Sequence, residues 1–138
     1  MIKFRAMTMQ DVAYIQGQPQ LYPVNGITAT IDGRLVGAGG YVNVNGRLLA
    51  LFYADKRKVK PITIHRMTVK GIRHIRSSEL FAACDERLDM GGKWLRRLGF
   101  QPIDQSFHEW CKAAGASVLT AEAVENRMWR IDLAALRG

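Results

Sequence analysis

The sequence predicts an α/β protein in which a mixed β-sheet of about six or seven strands is flanked by helices on both faces. Three observations carry this prediction: apolar–polar alternation interrupted by Asp-Gly and Asn-Gly pairs, one amphipathic basic segment, and the short apolar run LFAAC. The 138 residues are 48% hydrophobic and 23% charged, which predicts a single domain over 1–138 and excludes disordered, collagen-like and coiled-coil classes. We expect neither a membrane segment nor a signal peptide, because long apolar runs are missing.

The first half of the chain is predicted to be mostly antiparallel strands. Thr8 and Asp11 have capping-box spacing for a short helix that Gly17 ends. Asp32-Gly33 and Asn45-Gly46 are favoured in two-residue hairpin turns. The strand between these turns contains Gly37, Gly39 and Gly40, which indicate a bulge or a close backbone approach. The predicted elements are a strand at 1–7, a helix at 9–16, a loop at 18–26, and strands at 27–31, 35–44 and 48–53.

The second half is predicted to alternate helices with strands. Pro61 suits the first turn of a helix because it has no N–H to leave unpaired, and Ile64, Ile72 and Ile75 share the apolar face of that helix. The run LFAAC is typical of a central strand that is covered on both faces. The predicted elements are a helix at 61–76, a strand at 80–84, a helix at 90–98 capped by Asp89 and closed by Gly99, a strand at 100–103, a helical stretch at 107–114, and a strand at 129–133.

The two cysteines, Cys84 and Cys111, lie in apolar surroundings without a CxxC partner or a histidine at zinc spacing. This pattern predicts buried free thiols and no metal site. Free thiols are typical of a reducing compartment, so we expect a cytoplasmic location.

The net charge of +8 is concentrated in one segment, residues 56–78, which holds eight basic residues and no acidic one. Such a segment attracts an anion, for which a phosphorylated cofactor, a nucleic-acid backbone and an acidic protein surface are the alternatives. A solvated helix face that only confers solubility is a further alternative. The eight residues are Lys56, Arg57, Lys58, Lys60, Arg66, Lys70, Arg73 and Arg76.

The order of elements and three local motifs resemble the GNAT N-acetyltransferase superfamily. Trp94–Phe100 (WLRRLGF) resembles the L-G-F end of the fourth GNAT helix, and 84–89 resembles the loop that carries a capping Asn or Asp in that superfamily. Asp32–Gly40 (DGRLVGAGG) is similar to a glycine-containing GNAT hairpin. Among members, the chain is most similar to small GNAT-like proteins of tailed phages, and 105–126 is an insertion without a match.

The resemblance implies acetyl-CoA as cofactor. The pantetheine arm would lie along the edge of the strand that ends at Phe52, Tyr53 and Ala54, and the diphosphate would lie at the N-terminus of the next helix. The resemblance adds Asp89 to the cofactor-binding residues. The basic residues around the phosphates would be Lys56, Arg57, Lys58 and Lys60.

The chain departs from the GNAT pattern in two ways. The glycine-rich phosphate loop is replaced by KRKVKP, in which Pro61 also removes one backbone donor. Leu95 occupies the position at which many members have a tyrosine general acid, and a base would have to be Asp55, Asp85 or a water relay.

Three functions of different classes follow. The first is an acyl-CoA-dependent N-acetyltransferase with an unknown amine acceptor. The second is a catalytically inactive GNAT-fold protein that serves in phage virion structure or assembly and docks through its basic face, which places it in the host cytoplasm or the virion. The third is a nucleic-acid binder. The lack of aromatic residues among the basic ones argues against it. The superfamily consists mostly of enzymes, which favours the first function by analogy.

Overall fold

The computed structural model describes residues 2–17, 19–55, 57–84, 89–116 and 126–137, without the side chains of residues 61, 64, 89–91, 136 and 137. The described strands form one mixed seven-stranded sheet in the order β1-β2-β3-β4-β5-β7-β6. The strands are β1 (Ile2–Ala6), β2 (Val24–Ile31), β3 (Arg34–Val44), β4 (Arg47–Ala54), β5 (Glu79–Cys84), β6 (Gln101–Ser106) and β7 (Arg127–Asp132). The helices are α1 (Met9–Gln16), α2 (Pro61–Arg73), α3 (Asp89–Leu98), α4 (Phe107–Ala113) and α5 (Leu133–Arg137).

The chain groups into two compact units, and the expectation of a single domain stays a prediction. The first unit comprises Met1–Asn43 and Ala50–Arg76, and the second comprises Val44–Leu49 and Ser77–Gly138. The basic segment falls almost wholly in the first unit.

The first unit is built on the antiparallel strands β1, β2 and β3. Ile2 lies opposite Ile31 in β2, and Val24 lies opposite Val42 in β3, with a bulge between Ala29 and Thr30. Asp32 and Gly33 both have positive φ, 50° and 77°, which the predicted turn between β2 and β3 requires. Asn45 and Gly46, in the second unit, have φ of 53° and 95° in the other predicted turn.

The predicted loop 18–26 is wrong in its last three residues, because β2 begins at Val24. The cause is a close pairing of glycines across the β2–β3 ladder, where Gly26 lies opposite Gly40. A Cβ atom on Gly26 would overlap the carbonyl oxygen of Gly39, so only glycine allows the two backbones to approach this closely. The predicted close approach is therefore confirmed at Gly40, whereas a Cβ on Gly39 would meet nothing within 4 Å.

A carboxylate that is 9% exposed holds α1 on the sheet of the first unit. Both oxygens of Asp11 accept hydrogen bonds from the Arg5 guanidinium, at 2.6 and 2.8 Å, and Oδ2 also accepts one from the fully buried Thr28 hydroxyl at 3.0 Å. The predicted capping box is confirmed, because Thr8 N–H donates to Asp11 and the Asp11 N–H donates to the Thr8 hydroxyl. Gly17 ends the helix with φ of 72°.

α2 packs by the predicted apolar face but is shorter than expected. It ends at Arg73 rather than Arg76, because His74 and Ile75 donate to carbonyls three residues earlier and so close the last turn. Ile72 is buried at 4% exposure, Ile75 is half-buried, and Arg66 and Lys70 are exposed. The side chain of Ile64 lies outside the described residues.

The second unit surrounds β5 with large apolar side chains. β5 pairs antiparallel with β7, where Leu80 lies opposite Ile131, and it is parallel to β4, where Leu49 lies opposite Phe81. Leu80, Phe81 and Ala82 are consecutive and buried, which confirms a strand covered on both faces. Trp110 of α4 is fully buried, with its ring centroid 5.5 Å from that of Phe81.

Several boundaries in the second unit differ from the predicted ones. The strand predicted at 100–103 is β6 and runs to Ser106, the hydroxyl of which caps α4 in a capping box with Glu109. Leu133 was expected to end a strand but begins α5, because Asp132 accepts hydrogen bonds from the N–H groups of Ala134 and Ala135. α3 includes Asp89, which was expected to precede it as the cap.

We expect Asp11→Ala to destabilise the protein by about 2 kcal/mol at neutral pH, because the helix cap is lost and the Thr28 hydroxyl is left buried without its acceptor. The bonds from Arg5 hold the pKa of Asp11 well below its ordinary value, so they stabilise the fold above about pH 4 and this contribution is lost as the pH falls. Urea unfolding at neutral and acidic pH measures the loss of unfolding free energy in this variant at each pH. The exposed Asp104→Ala should change stability by less than about 0.5 kcal/mol, and equal effects of the two variants would contradict the account.

The orientation of α2 is tested by two neighbouring residues. Ile72→Ala should cost about 2–5 kcal/mol because Ile72 is buried, whereas Arg73→Ala should cost less than about 0.5 kcal/mol because Arg73 is exposed. Urea melts that show the reverse order would mean that the helix presents the opposite face to the core.

Candidate functional site: the β4–α2 junction

The junction between β4 and α2 is a turn organised by Asp55. The Asp55 N–H donates to the carbonyl of Val36 in β3 at 2.8 Å, which fixes the start of the turn to the sheet. The Asp55 carbonyl accepts from the N–H groups of Lys58 and Val59, at 2.9 and 3.1 Å. The main chain therefore turns back around Asp55 before α2 begins.

The Asp55 side chain adds a second layer to this turn. Its Oδ1 accepts hydrogen bonds from the Arg57 backbone N–H at 3.1 Å and from Arg57 Nε at 3.4 Å. The Asp55 side chain is 23% exposed and that of Arg57 is 89% exposed. The carboxylate thus anchors the stem of Arg57 and leaves most of the side chain in solvent.

The start of α2 is strongly electropositive. Lys60 is the N-cap residue, in an extended conformation and without a side-chain capping bond, and Pro61 follows it in the first turn. No acidic residue lies in that turn, and the described side chains of Arg57, Lys58 and Lys60 are exposed. Cations are unfavourable at the positive end of a helix dipole, so this arrangement favours a bound anion.

The strand end that precedes the turn is only partly covered. Phe52, Tyr53 and Ala54 are each half-buried. The carbonyl oxygen of Tyr53 is 3.5 Å from the position that a Cβ on Gly37 would occupy. Whether this strand end receives a pantetheine arm stays a prediction.

Three of the predicted site residues cannot be placed by their side chains. Lys56 and Asp85 lie outside the described residues. Asp89 begins α3, but its side chain is not described. The structure therefore brings together Asp55, Arg57, Lys58 and Lys60 and leaves the roles of the other three as predictions.

Neither residue 95 nor the two cysteines supplies a reactive group in the part of the chain that the structure describes. Leu95 is buried at 4% exposure and offers no proton. Both cysteines are buried and outside any disulfide, as predicted, and burial raises the pKa of the Cys111 thiol, which disfavours the reactive thiolate. Across the described ranges, no three His, Cys, Asp or Glu side chains come close enough to hold a metal ion. Among the same residues, no helix is both long and apolar enough to cross a membrane.

Sequence reasoning proposed Asp55 as a base and missed its role in shaping the turn. An aspartate two residues before a turn N–H is a known signal for a side-chain-to-backbone bond, so DKR could have indicated it. The bond from the Asn45 amide to the Ala114 carbonyl, 2.9 Å long, had no such local signal because 69 residues separate the two partners.

No protein-family model and no curated protein sequence matches the chain. Its structure is nevertheless similar to a GNAT-family acetyltransferase from Staphylococcus aureus, with a TM-score of 0.64 and 10% identity over 96% of this chain and 99% of that one. It is also similar to a mutant of the spermidine N-acetyltransferase SpeG from Vibrio cholerae, with a TM-score of 0.62 and 8% identity over 99% and 96% of the two chains. A third similar structure is that of YncA from Salmonella typhimurium with its cofactor acetyl-CoA, with a TM-score of 0.59 and 9% identity over 96% and 94%.

These likenesses cover nearly the whole chain, and they show that it has the GNAT fold. The predicted fold class is confirmed. The finer resemblance to phage proteins has no counterpart among the similar structures described above and stays a prediction.

The role of Asp55 is tested by comparing Asp55→Ala with Asp55→Asn. The alanine variant loses the side-chain acceptor for the Arg57 N–H, a bond worth about 1 kcal/mol, so hydrogen exchange at that amide should speed up by about fivefold. Asparagine retains an Oδ1 acceptor and should preserve most of the protection. The measurement is amide exchange by NMR, and unchanged protection in the alanine variant would show that the carboxylate does not hold the turn.

Proposed function

We propose that the protein is an acyl-CoA-dependent N-acetyltransferase that takes acetyl-CoA as donor and an amine as acceptor. The observation that carries the proposal is the exposed cationic cluster at the N-terminus of α2, directly after the fourth strand of a GNAT fold. A similar structure, YncA, is described with acetyl-CoA as its cofactor.

We expect the residues at the junction to hold the phosphates of CoA mainly through their side chains. The N–H groups of Arg57, Lys58 and Val59 already donate to Asp55, and Pro61 has none. Guanidinium and ammonium groups can instead form charge-assisted bonds with phosphate oxygens. Arg57, Lys58 and Lys60 would therefore hold the diphosphate or the 3′-phosphate, and Lys56 is their predicted companion.

This arrangement predicts a shallower and more salt-sensitive cofactor site than a glycine loop would form. A glycine loop lets main-chain N–H groups surround the phosphate at short range, whereas flexible lysines hold it from an exposed surface. Exposed charge pairs are screened within about 8–10 Å at physiological salt. We therefore expect cofactor affinity to fall as salt rises.

When bound, acetyl-CoA supplies an activated acetyl thioester. Leu95 cannot donate a proton to the leaving sulfur, and Asp55 Oδ1 already accepts two hydrogen bonds from Arg57. The acceptor amine would then have to arrive unprotonated. Its nitrogen would form the amide bond as the C–S bond breaks, its surplus proton would pass to water, and the CoA sulfur would leave as a thiolate, which a thiol pKa of about 8.5 permits. Asp55 and Asp85 stay predicted bases.

A second candidate function is a catalytically inactive GNAT-fold protein that docks through the basic segment. It is favoured by two features, the aliphatic residue at position 95 and the absence of a glycine in residues 56–61. The assignment of such a protein to a phage virion, like the expected cytoplasmic location, stays a prediction from the sequence.

Titration calorimetry with acetyl-CoA and CoA at low and high salt tests the proposal. Lys58→Glu/Lys60→Glu should weaken binding by at least about tenfold, because two attractive contacts become repulsive ones. The matched control is Lys93→Glu/Arg97→Glu, which makes the same charge change at exposed positions of α3 and should leave affinity within about twofold. Arg96 is avoided as a control because its guanidinium lies 5.2 Å from the centre of the Trp129 ring.

The proposed acetyltransferase function is contradicted if folded wild-type protein gives no heat with either ligand at low salt. That result would favour the inactive, docking protein. Equal weakening by both double variants would instead show a general effect of net charge rather than a site at the junction.

A further inference from the structure

The cations of the basic segment are more numerous than a cofactor site at the start of α2 can use. Eight of the 20 Lys and Arg residues lie in residues 56–78, and the remaining 12 equal the number of Asp and Glu residues in the chain. The whole net charge of +8 therefore corresponds to this one segment. Arg66, Lys70 and Arg73 are exposed on α2 beyond its first turn.

These three residues form one stripe along the helix. The spacings of four and three residues place them on the same side of α2, over a length of about 10 Å. Ile72, about 130° around the helix from the middle of the stripe, is buried, whereas the three cations are exposed, so the stripe faces solvent. Along the segment no acidic residue is available to neutralise it.

Two large apolar side chains accompany the stripe. Ile62 is 59% exposed and Met67 is 41% exposed, and the helical positions of both put them on the solvent side with the cations. The solvent side of α2 thus combines three cations with two apolar contacts. Isolated exposed apolar residues are ordinary, but their position around a cationic stripe gives the surface a mixed chemistry.

We propose that the solvent side of α2 is a docking surface for an acidic amphipathic helix of a partner protein. Carboxylates at i, i+4 and i+7 of such a helix match the spacing of the cationic stripe, and leucines between them would cover Ile62 and Met67. Protein interfaces combine an apolar core with a polar rim, and here Ile62 and Met67 would supply the apolar contacts and the cationic stripe the polar ones. The surface goes beyond the proposed acetyl transfer and does not depend on it.

A nucleic-acid backbone matches this mixed surface less well than an acidic protein helix does. Phosphate contacts are made by basic residues together with Ser, Thr, Asn and Gln side chains, whereas Ile62 and Met67 would face phosphates without benefit. Residues 56–78 contain no Phe, Tyr or Trp, the large aromatic side chains on which bases stack best. The observations therefore favour the acidic protein helix over DNA or RNA.

The test uses a synthetic fluorescent helical peptide with glutamates at i, i+4 and i+7 and leucines between them, measured by fluorescence anisotropy against the full-length protein. Arg66→Glu/Lys70→Glu/Arg73→Glu should weaken binding by at least about tenfold. The control is Lys93→Glu/Arg97→Glu/Lys112→Glu, which makes the same charge change at exposed positions of other helices and should lower affinity by less than about threefold. Urea melts check that all variants fold.

A second pair of variants separates a protein helix from a polyanion. Ile62→Ser/Met67→Ser leaves every charge in place and should weaken binding of the leucine-containing peptide by about tenfold. The same variant should bind a fluorescent DNA duplex and an anionic lipid vesicle as wild type does. The proposal is overturned if peptide affinity is unchanged in Ile62→Ser/Met67→Ser, or if DNA or vesicles bind more tightly than the peptide. It is also overturned if the control charge variant lowers peptide affinity as much as the stripe variant does.

Discussion

The bonds made by Asp55 are the constraint on which the candidate site depends. One residue uses its N–H to hold the strand end, its carbonyl to turn the chain back, and its carboxylate to anchor Arg57. The next helix therefore begins a few residues after the sheet, with its positive end surrounded by cations. The turn fixes Arg57 and Lys58 close to the N-cap residue Lys60 and so gathers the three cations at the positive end of the helix dipole.

The arrangement has an electrostatic cost that suggests a function. Placing Lys58 and Lys60 at the N-terminus of a helix is unfavourable by up to about 1 kcal/mol for each charge, and the first turn contains no carboxylate to offset it. At α1 and α4 the chain instead places Asp11 and Glu109 in the first turn, where they lower the energy of the helix. The chain thus follows the usual rule at these two helices and departs from it at the junction, where an anion would remove the cost.

Local signals in the sequence predicted much of the fold. The Asp-Gly and Asn-Gly pairs predicted two turns because few other residues adopt two successive positive φ angles, and the Thr8–Asp11 spacing predicted a capping box that the structure confirms. The capping box of Ser106 and Glu109 has the same signature and could have been predicted from the sequence. The beginning of β2 at Val24 was not, because it depends on the pairing of Gly26 with a glycine fourteen positions away in the chain.

The candidate site was predictable in its charge but not in its geometry. The concentration of basic residues and the position of Pro61 indicated an anion near the start of α2. The bond from the Arg57 N–H to the Asp55 side chain had a local signal, but the two further bonds from Lys58 and Val59 to the Asp55 carbonyl could not be read from the residues. Because all three N–H groups are used within the turn, the proposed phosphate contacts are assigned to side chains. The most direct measurement is a crystal structure of the protein with CoA. We expect diphosphate or 3′-phosphate oxygens within hydrogen-bond distance of the side chains of Arg57, Lys58 or Lys60, with the Asp55 turn intact. Phosphates held by the backbone of an opened turn, or bound away from the start of α2, would contradict the account.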